Sequence, residues 1–348
     1  MKKYLLSVLL ISVFLFLSVR TFAIEPITDA NSVSKLSRNI ETLPSGGLIN
    51  LTFKSKIDQS FQPMLAKVPR GYTKAKSWPL LVVLHGLGDG PIIAPSIDSM
   101  VQIGPFGRGD MWYHGIGEQD VFECIEFAKQ IFNIDPDRIY LCGFSMGGTG
   151  TFELGLKHPD IWAACAPVCG TMKNPDMVAN GRNLPFWINT GSQDRIVPAK
   201  DSKRAYEKAV ELGFEHWKYT EYEGMGHSFW IDWSQIEKWL LSQRKLHNPP
   251  NISFACEEPS RAYWVEITGK LNCTKIARID VKTASGKIEV KTSNIADYAL
   301  YLKEAPVKIS EEITIIENDK KIFKGHLPPD GIFNRKLDGK KTNKVCVQ

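Results

Sequence analysis

The sequence predicts an α/β protein built on a doubly wound, mostly parallel sheet, followed by a small all-β unit. Two observations lead to this fold class. Segments rich in β-formers alternate with helix-length segments throughout residues 78–243, which is typical of βαβ units. After Asn248-Pro249-Pro250 the pattern changes to short alternating stretches separated by turn residues. A chain of 348 residues is long enough for two such units.

Residues 1–23 have the pattern of a secretory signal peptide. A basic start, Met1-Lys2-Lys3, is followed by the apolar run Tyr4–Val19 and by small residues at Thr21 and Ala23. The alternative is a transmembrane anchor, for which the run is slightly short. We therefore expect cleavage near Ala23, export to the periplasm or the extracellular space, and no stable membrane span afterwards.

The region 24–247 is predicted to form the α/β unit, called here the α/β domain. Residues 24–48 are polar and read as an irregular covering segment. Leu51–Lys54 and Met64–Val68 are short β candidates around a turn, which indicates an antiparallel hairpin at a sheet edge. The run Pro79–Leu84 is continuously apolar and therefore predicts a strand buried on both faces, as in parallel sheets.

The remaining elements of the α/β domain alternate regularly. They are a strand at Met100–Ile103, a helix at Glu118–Asn133, a strand ending at Gly143, a helix to about His158, strands at Trp162–Val168 and Pro185–Thr190, a helix at Asp201–Leu212, a strand at Trp217–Tyr222 and a helix at Trp230–Ser242. Pro159 ends the helix before it.

The Pro pair within 248–250 predicts a linker, and residues 251–348 are called here the β-module. Its predicted strands are Tyr263–Thr268, Ile276–Val281, Lys287–Lys291, Tyr298–Leu302 and Ile313–Ile316. Because they are short and mostly alternating, a small sandwich is expected.

Charge and cysteine content exclude some functions and leave others open. The net charge of +5 is modest, so nothing points to nucleic acid. Cys165 and Cys169 lie on one strand, about 13 Å apart by strand geometry, which is too far for a disulfide. Only Cys256, Cys273 and Cys346 are free to pair, and the sequence does not say which. No Cys/His spacing matches a metal site, so no metal or cofactor is expected.

The chemistry begins at Gly143-Phe144-Ser145-Met146-Gly147. A predicted strand enters this G-x-S-x-G motif and a predicted helix leaves it, which is the context of a nucleophile elbow. The flanking glycines permit a turn in which a Cβ would clash with the neighbouring backbone. The motif alone occurs by chance in a chain of this length with a probability of roughly 0.1.

Two downstream loops supply partners in the order serine, acid, histidine. Asp194 follows the strand that ends at Thr190, and His227 follows the strand that ends at Tyr222. Because both lie at carboxyl ends of parallel strands, they should converge on Ser145 at one edge of the sheet.

Each of these residues also has a structural interpretation. Ser145 is also compatible with an ordinary turn, and His227 with a cap of the last helix. Asp194 is compatible with a helix N-cap, in which case Glu223 or Asp201 would supply the acid. His85 more often braces its loop than acts as a base. The backbone amides of Met146 and Leu87 are the predicted donors to an oxyanion.

Several motifs resemble known esterases. Residues 78–243 resemble the α/β-hydrolase superfamily. His85-Gly86-Leu87-Gly88-Asp89 and Gly224-Met225-Gly226-His227-Ser228 are similar to the phospholipase/carboxylesterase and acyl-protein thioesterase branch. Gly107-Arg108-Gly109-Asp110 resembles secreted polyhydroxyalkanoate-depolymerase and feruloyl-esterase types, many of them labelled prolyl-oligopeptidase-like. The resemblance implies a Ser145, Asp194 and His227 triad, with Leu87 and Met146 as oxyanion donors.

The expected activity is hydrolysis of carboxylic esters through an acyl-enzyme. Only Cys169–Leu184 separates two core strands where related proteins carry lids, so an open site is expected. Aromatic residues lie in or beside loops at the active edge: Trp112, Tyr113, Phe229 and Trp230. These positions are equally compatible with stacking on a phenolic or sugar ring of the substrate and with packing in the core. Carbohydrate- or phenol-linked esters are therefore favoured.

Other functions remain open at this stage. A prolyl-oligopeptidase-like peptidase and a lysophospholipase or acyl thioesterase are the enzymatic alternatives. A catalytically silent binding protein on the same scaffold is the alternative from another class. The β-module is expected to be structural first, with polysaccharide binding or closure over the site as alternatives. The oligomeric state does not follow from the sequence.

Overall fold

The computed structural model describes residues 21–23, 30–42, 46–308 and 310–336. The strands are β1 Thr21–Ala23, β2 Leu48–Lys54, β3 Phe61–Lys67, β4 Trp78–Leu84, β5 Val101–Pro105, β6 Ile134–Phe144, β7 Ala164–Val168, β8 Phe186–Gly191, β9 Trp217–Tyr222, β10 Asn251–Cys256, β11 Ser260–Ala262, β12 Val265–Lys270, β13 Ala277–Ala284, β14 Lys287–Ser293, β15 Ile295–Tyr301, β16 Ile313–Glu317, β17 Lys320–Gly325 and β18 Ile332–Lys336. The helices are α1 Ala30–Asn39, α2 Ile116–Ile131, α3 Met146–Lys157, α4 Ala199–Glu211 and α5 Trp233–Leu241, with 3-10 helices at Ile40–Thr42 and Pro175–Asn183.

A nine-stranded sheet forms the α/β domain, in the order β1-β2-β3-β5-β4-β6-β7-β8-β9. From β5 to β9 every neighbouring pair is parallel, whereas β2, β3 and β5 pair antiparallel. The mostly parallel sheet confirms the predicted fold class, and the β2–β3 hairpin lies towards one edge as expected. The parallel direction brings the carboxyl ends of β4 and of β6 to β9 to one edge.

Both faces of this sheet are covered. All seven residues of β4 are buried, as a continuously apolar strand requires. Successive side chains of β4 pack on opposite faces of the sheet: Val82 belongs to one core cluster and Val83 to the other. Helices α1 to α4 pack on one face and α5 packs on the other. The sheet is therefore doubly wound.

The β-module has two sheets around a separate core. The first has the strand order β10-β13-β14-β16-β17 and the second β11-β12-β15-β18. Residues of both sheets, including Ile279 and Ile267, share one buried cluster, in which Trp264 is the largest fully buried side chain. The two sheets with a common core confirm the predicted all-β unit.

The N-terminal segment differs from the sequence prediction. Residues 30–42, expected to be irregular, form α1 and a 3-10 turn. Leu36 and Ile40 are buried and Val33 packs beside them, which is a helical spacing of apolar residues in an otherwise polar segment. Most of the predicted signal peptide lies outside the described residues, and Thr21–Ala23 pair parallel with β2. No described helix is both long and apolar enough to cross a bilayer.

The cysteines follow the geometric expectation in part. Cys165 and Cys169 are free and buried. Cys256, one of the three candidates for pairing, is also free, whereas Cys273 is disulfide-bonded. Cys346 lies outside the described residues.

The β-module docks on the segment between β7 and β8. The buried side chain of Asn180 accepts from Ala255 N at 2.7 Å and donates to Ala255 O at 2.8 Å, so it pairs with β10 as a strand would. The same amide donates to Leu156 O at 2.7 Å. Tyr263 Oη donates to Pro159 O at 3.0 Å nearby. Hydrogen bonds therefore fix this short segment to the β-module on one side and to α3 on the other.

We predict that Asn180→Ala lowers the free energy of unfolding by about 3 kcal/mol, because it leaves buried backbone groups of Leu156 and Ala255 without partners. Asn183→Ala is the matched control, since its exposed side chain makes one bond, to Asn251 O at 2.8 Å. It should cost less than about 1 kcal/mol. Chemical denaturation measures both, and equal costs would contradict the docking role.

Candidate active site

Ser145 lies at the turn from β6 into α3 with φ 56° and ψ −114°, a conformation that non-glycine residues rarely adopt. Its N–H donates to Val168 O at 3.0 Å, and its carbonyl accepts from Thr149 N at 3.0 Å. The strained residue is thus held by the next strand and by the first turn of the helix. This geometry exposes a side chain at the carboxyl edge of the sheet.

The flanking glycines are required by close backbone contacts. A Cβ on Gly147 would lie 2.1 Å from Leu84 O, and a Cβ on Gly143 would lie 2.4 Å from Gly147 O. Neither position can hold a side chain without moving the backbone. The need for glycine that the motif predicts is therefore a physical property of this turn.

Asp194 and His227 lie in direct contact. His227 Nδ1 lies 2.7 Å from Asp194 Oδ2, and the aspartate side chain is fully buried. The other carboxylate oxygen accepts from Ile196 N at 2.9 Å and from Val197 N at 2.8 Å. The carboxylate is therefore fixed on one side by backbone amides and fixes the imidazole on the other.

These contacts determine the charge state of Asp194. Burial alone would raise the pKa of its carboxyl. The hydrogen bonds from His227, Val197 and Ile196 outweigh burial and hold the pKa below its ordinary value. Asp194 is therefore ionised at neutral pH and orients the His227 ring.

The loops that carry Asp194 and His227 are joined through their backbones. Gln193 N donates to Met225 O at 2.9 Å, and Ser192 Oγ accepts from Gly224 N at 2.9 Å. A Cβ on Gly191 would lie 2.2 Å from Met225 O. The acid and the histidine are thus presented by one rigid unit at the ends of β8 and β9.

His227 lies beside the serine turn. Its ring is 4.7 Å from the ring of Phe144, the residue before Ser145. Among the described residues no hydrogen bond joins the Ser145 hydroxyl to His227. In enzymes without substrate this bond is often long and shortens in the substrate complex. The structure places Ser145, Asp194 and His227 at one edge of the sheet, with Asp194 and His227 hydrogen-bonded to each other.

The loop after β4 lies directly against the serine. A Cβ on Gly86 would be 3.7 Å from Ser145 Cβ, so Gly86 packs against Ser145, and Leu87 follows it in the chain. Within the described part of the chain the amides of Leu87 and Met146 donate to no other group. Both are therefore available to an oxyanion, and Met146 lies at the first position of α3.

Two buried side chains, His85 and Tyr113, and the exposed Asp110 brace this loop. His85 Nδ1 lies 2.7 Å from Gly86 O and its Nε2 lies 2.8 Å from Phe106 O, which is the bracing role expected from the sequence. Tyr113 Oη donates to His85 O at 3.1 Å, and Asp110 Oδ1 accepts from Gly88 N at 2.7 Å. The loop conformation is therefore set by its neighbours rather than by its own exposed side chains.

The Gly107-Arg108-Gly109-Asp110 segment has a structural function. Arg108 pairs with the fully buried Asp120 at 3.2 Å and with Asp58 at 2.7 Å. Asp120 also accepts from Gly107 N at 3.0 Å. These contacts tie the segment to α2 and to the β2–β3 turn, and they position Asp110 under the oxyanion loop.

The four aromatic candidates divide into two pairs. Tyr113 is 1% exposed and Phe229 packs between Phe144 and Trp233, with ring centroids at 5.7 and 4.8 Å. For these two, the structure favours packing over stacking on a substrate. Trp112 is 37% exposed and Trp230 is 72% exposed. These two remain predicted substrate contacts.

Cys169 is a neighbour that the sequence did not assign to the site. Its Sγ, one imidazole nitrogen of His227 and a carboxylate oxygen of Asp194 all lie within 4.8 Å of one another. Burial, with a contribution from the Asp194 carboxylate, raises the pKa of the Cys169 thiol to about 12. The thiol is therefore protonated at neutral pH and is not a nucleophile. In the sequence, the only sign that Cys169 lies near the site is its position directly after β7.

Comparisons with known proteins find a hydrolase family and esterases that are similar to part of this chain. Residues 114–243 match the dienelactone hydrolase family. The chain is 28% identical over 130 residues to acyl-protein thioesterase 1 of Emericella nidulans, covering 35% of this chain and 54% of the relative. It is 30% identical over 163 residues to feruloyl esterase B of Piromyces equi, covering 38% of this chain and 29% of the relative. The matches thus span about half of one relative and less than a third of the other.

A solved structure of a thermostable esterase has the same fold, with a TM-score of 0.50 and 24% identity. The similarity covers 57% of this chain and 63% of that one. Together with the sheet order, this likeness shows a shared fold. The predicted resemblance to esterases is confirmed by the sequence matches to acyl-protein thioesterase 1 and feruloyl esterase B.

We predict that Gly147→Ala abolishes hydrolysis of a small activated ester and lowers the melting temperature, because the new Cβ displaces the backbone beneath Ser145. Gly90→Ala is the control, since no atom lies within 4 Å of its added Cβ. Activity assays and thermal unfolding measure both. Normal activity of Gly147→Ala would contradict the elbow geometry.

We also predict that wild type loses more stability on acidification than Asp194→Asn. A carboxyl group whose pKa is lower in the folded than in the unfolded state stabilises the protein at pH values above its unfolded-state pKa. For an aspartate that unfolded-state pKa is near 3.8. That contribution is lost as the pH falls through the folded-state pKa. Chemical denaturation at pH 7, 4 and 3 compares the two proteins, and parallel pH dependences would show that Asp194 is not stabilised in this way.

Proposed function

We propose that this chain is an exported serine hydrolase that cleaves carboxylic esters through a Ser145–His227–Asp194 triad. The observation that carries the proposal is a serine in the strained elbow conformation at the sheet edge where a buried aspartate fixes a histidine at 2.7 Å. The similarity to esterases supports the same reaction class. We further propose a division into a signal peptide at 1–23, a catalytic domain at 24–247, a linker and an accessory domain from 251.

The proposed mechanism is acyl transfer to water. His227 accepts the Ser145 hydroxyl proton while Oγ attacks the ester carbonyl, and the resulting oxyanion is bound by the amides of Leu87 and Met146. His227 then gives the proton to the leaving alcohol. Water, activated by the same imidazole, releases the acid from Ser145. Asp194 holds the tautomer in which Nε2 faces the serine and stabilises the imidazolium.

The proposed substrates are esters that link phenolic or other short acyl groups to carbohydrate. Feruloyl esterase B of Piromyces equi and a bifunctional acetylxylan esterase/xylanase of Neocallimastix patriciarum, 30% identical over 136 residues, support this class. Trp112 and Trp230 offer exposed rings beside the site. Between β7 and β8 the described chain holds only a 3-10 helix and connecting turns, so no lid domain is inserted there.

An acyl thioesterase is the second candidate function. The similarity to acyl-protein thioesterase 1 favours it, and the proposed triad would cleave a thioester by the same steps. The dependence of activity on acyl chain length distinguishes the thioesterase from the proposed esterase. An enzyme for long acyl groups should prefer nitrophenyl palmitate, whereas the proposed esterase should prefer nitrophenyl acetate and methyl ferulate and leave a prolyl amide intact. A maximum at long acyl chains would contradict our first choice.

We predict that Ser145→Ala lowers kcat for nitrophenyl acetate by at least 10³-fold, the order seen when a triad serine is removed. Ser234→Ala, an exposed serine in α5 that bonds Asp232, should leave kcat unchanged. Steady-state kinetics on purified protein measure both variants. Equal activity of wild type and Ser145→Ala would exclude Ser145 as the nucleophile.

A further inference from the structure

A cavity of about 570 Å³ lies between the α/β domain and the β-module. Its walls come from α3, from residues 113–114 and 172–177 at the active edge, and from the turn between β10 and β11. This volume lies within the range of small-molecule sites. None of the three triad residues lines the cavity, so it is a separate space.

Carboxylates from both parts of the chain face this cavity. Glu153 of α3 lies 3.2 Å from Lys173 Nζ and 3.1 Å from His114 Nε2, yet its buried Oε2 has no hydrogen bond of good geometry among the described residues. Burial raises the pKa of the Glu153 carboxyl against the effect of His114 and Lys173, and the charge of Glu257 adds to the rise. Glu257, from the β-module, lines the same cavity and accepts from Asn174 Nδ2 at 2.9 Å.

The remaining wall combines apolar side chains with Glu258 and with Glu118, which pairs with Lys157 and His158 at 2.7 Å. Leu154, Met172, Met177 and Phe254 line it between the polar groups. Within the described chain no third ligand group joins Glu153 and Glu257 in a cluster tight enough for a metal ion. An apolar wall with carboxylate acceptors at its rim suits a neutral ligand that has a hydrocarbon face and several hydroxyl donors, which is the chemistry of a sugar ring.

The cavity lies close to the catalytic edge. Met172 lines it and is three residues from Cys169, whose sulfur lies within 4.8 Å of the ligand atoms of Asp194 and His227. Three residues span at most about 10 Å. The exposed Trp112 lies beside the cavity. The ammonium group of Lys173, which lines the cavity, is 4.8 Å from the ring centroid of Trp112.

We propose that this cavity is a distal binding site for a sugar residue in the alcohol part of the ester, with Glu153 and Glu257 accepting its hydroxyl hydrogens. The proposal rests on the proposed esterase function and adds that the β-module supplies part of the substrate site. It assigns the β-module a role in specificity, since Glu257 comes from the turn after β10.

The test compares kcat/KM on methyl ferulate with kcat/KM on a feruloylated arabinoxylo-trisaccharide. Wild type should prefer the trisaccharide ester, and Glu257→Gln and Glu153→Gln should each lower that preference ratio about tenfold, as expected for loss of a charged acceptor. Glu289→Gln is the matched control, because Glu289 lies on the outer face of the β-module and pairs with Lys287. It should leave the ratio unchanged.

A binding measurement separates this proposal from the proposed function. By calorimetry, Ser145→Ala should bind the unesterified arabinoxylo-trisaccharide, and adding Glu257→Gln should weaken binding about tenfold. Failure of wild type to hydrolyse either ester would overturn the esterase function, while this measurement would still test the cavity. The distal site would be overturned if the trisaccharide does not bind, or if wild type hydrolyses the two esters with equal kcat/KM. It would also be overturned if Glu257→Gln and Glu153→Gln behave like Glu289→Gln.

Discussion

The backbone conformation of Ser145 is the constraint on which the rest of the site depends. A serine at φ 56° is held in place only where the surroundings over-determine it. Here β7 and the first turn of α3 bind its backbone. The backbone of β4 approaches so closely that Gly147 can carry no side chain, and the backbone of Gly147 in turn leaves no room for one on Gly143. The turn exposes the hydroxyl and leaves the Met146 amide at the N-terminus of α3. The proposed nucleophile, Ser145, and the proposed oxyanion donor, Met146, are therefore both positioned by the same strained turn.

The groups around the serine are positioned by buried polar contacts. His85, Tyr113 and Asp110 fix the oxyanion loop, and two backbone amides fix Asp194 before it binds His227. The contacts of His85, Tyr113 and Asp194 lie in a shielded environment, where hydrogen bonds are stronger and unpaired groups are costly. The hydrogen bond from Gly88 to Asp110 is exposed. The segment after β7 is fixed in the same manner by Asn180, which pairs with the β-module. The β-module is thus hydrogen-bonded directly to the segment that follows β7.

Much of the fold was predictable because its signals are local. The continuous apolar run of β4, the helix–strand alternation and the Pro pair each reflect burial or backbone stiffness within a few residues. The triad residues could be proposed since parallel strands bring their ends to one edge. Helix α1 was missed, although Val33, Leu36 and Ile40 have helical spacing, because its polar composition dominated the interpretation. Strands β10, β11, β17 and β18 were missed too. Packing of Tyr113, the place of Cys169 and the cavity near Glu153 depend on contacts between distant segments, which no local pattern reports.

The central claim is that Ser145 is a nucleophile activated at this elbow. The most direct measurement is labelling with a fluorophosphonate probe, followed by peptide mapping by mass spectrometry. The account predicts one adduct, on the Ser145 side chain, with no labelling of Ser145→Ala and much slower labelling of His227→Ala. Absence of labelling in wild type, or an adduct on another residue, would contradict it.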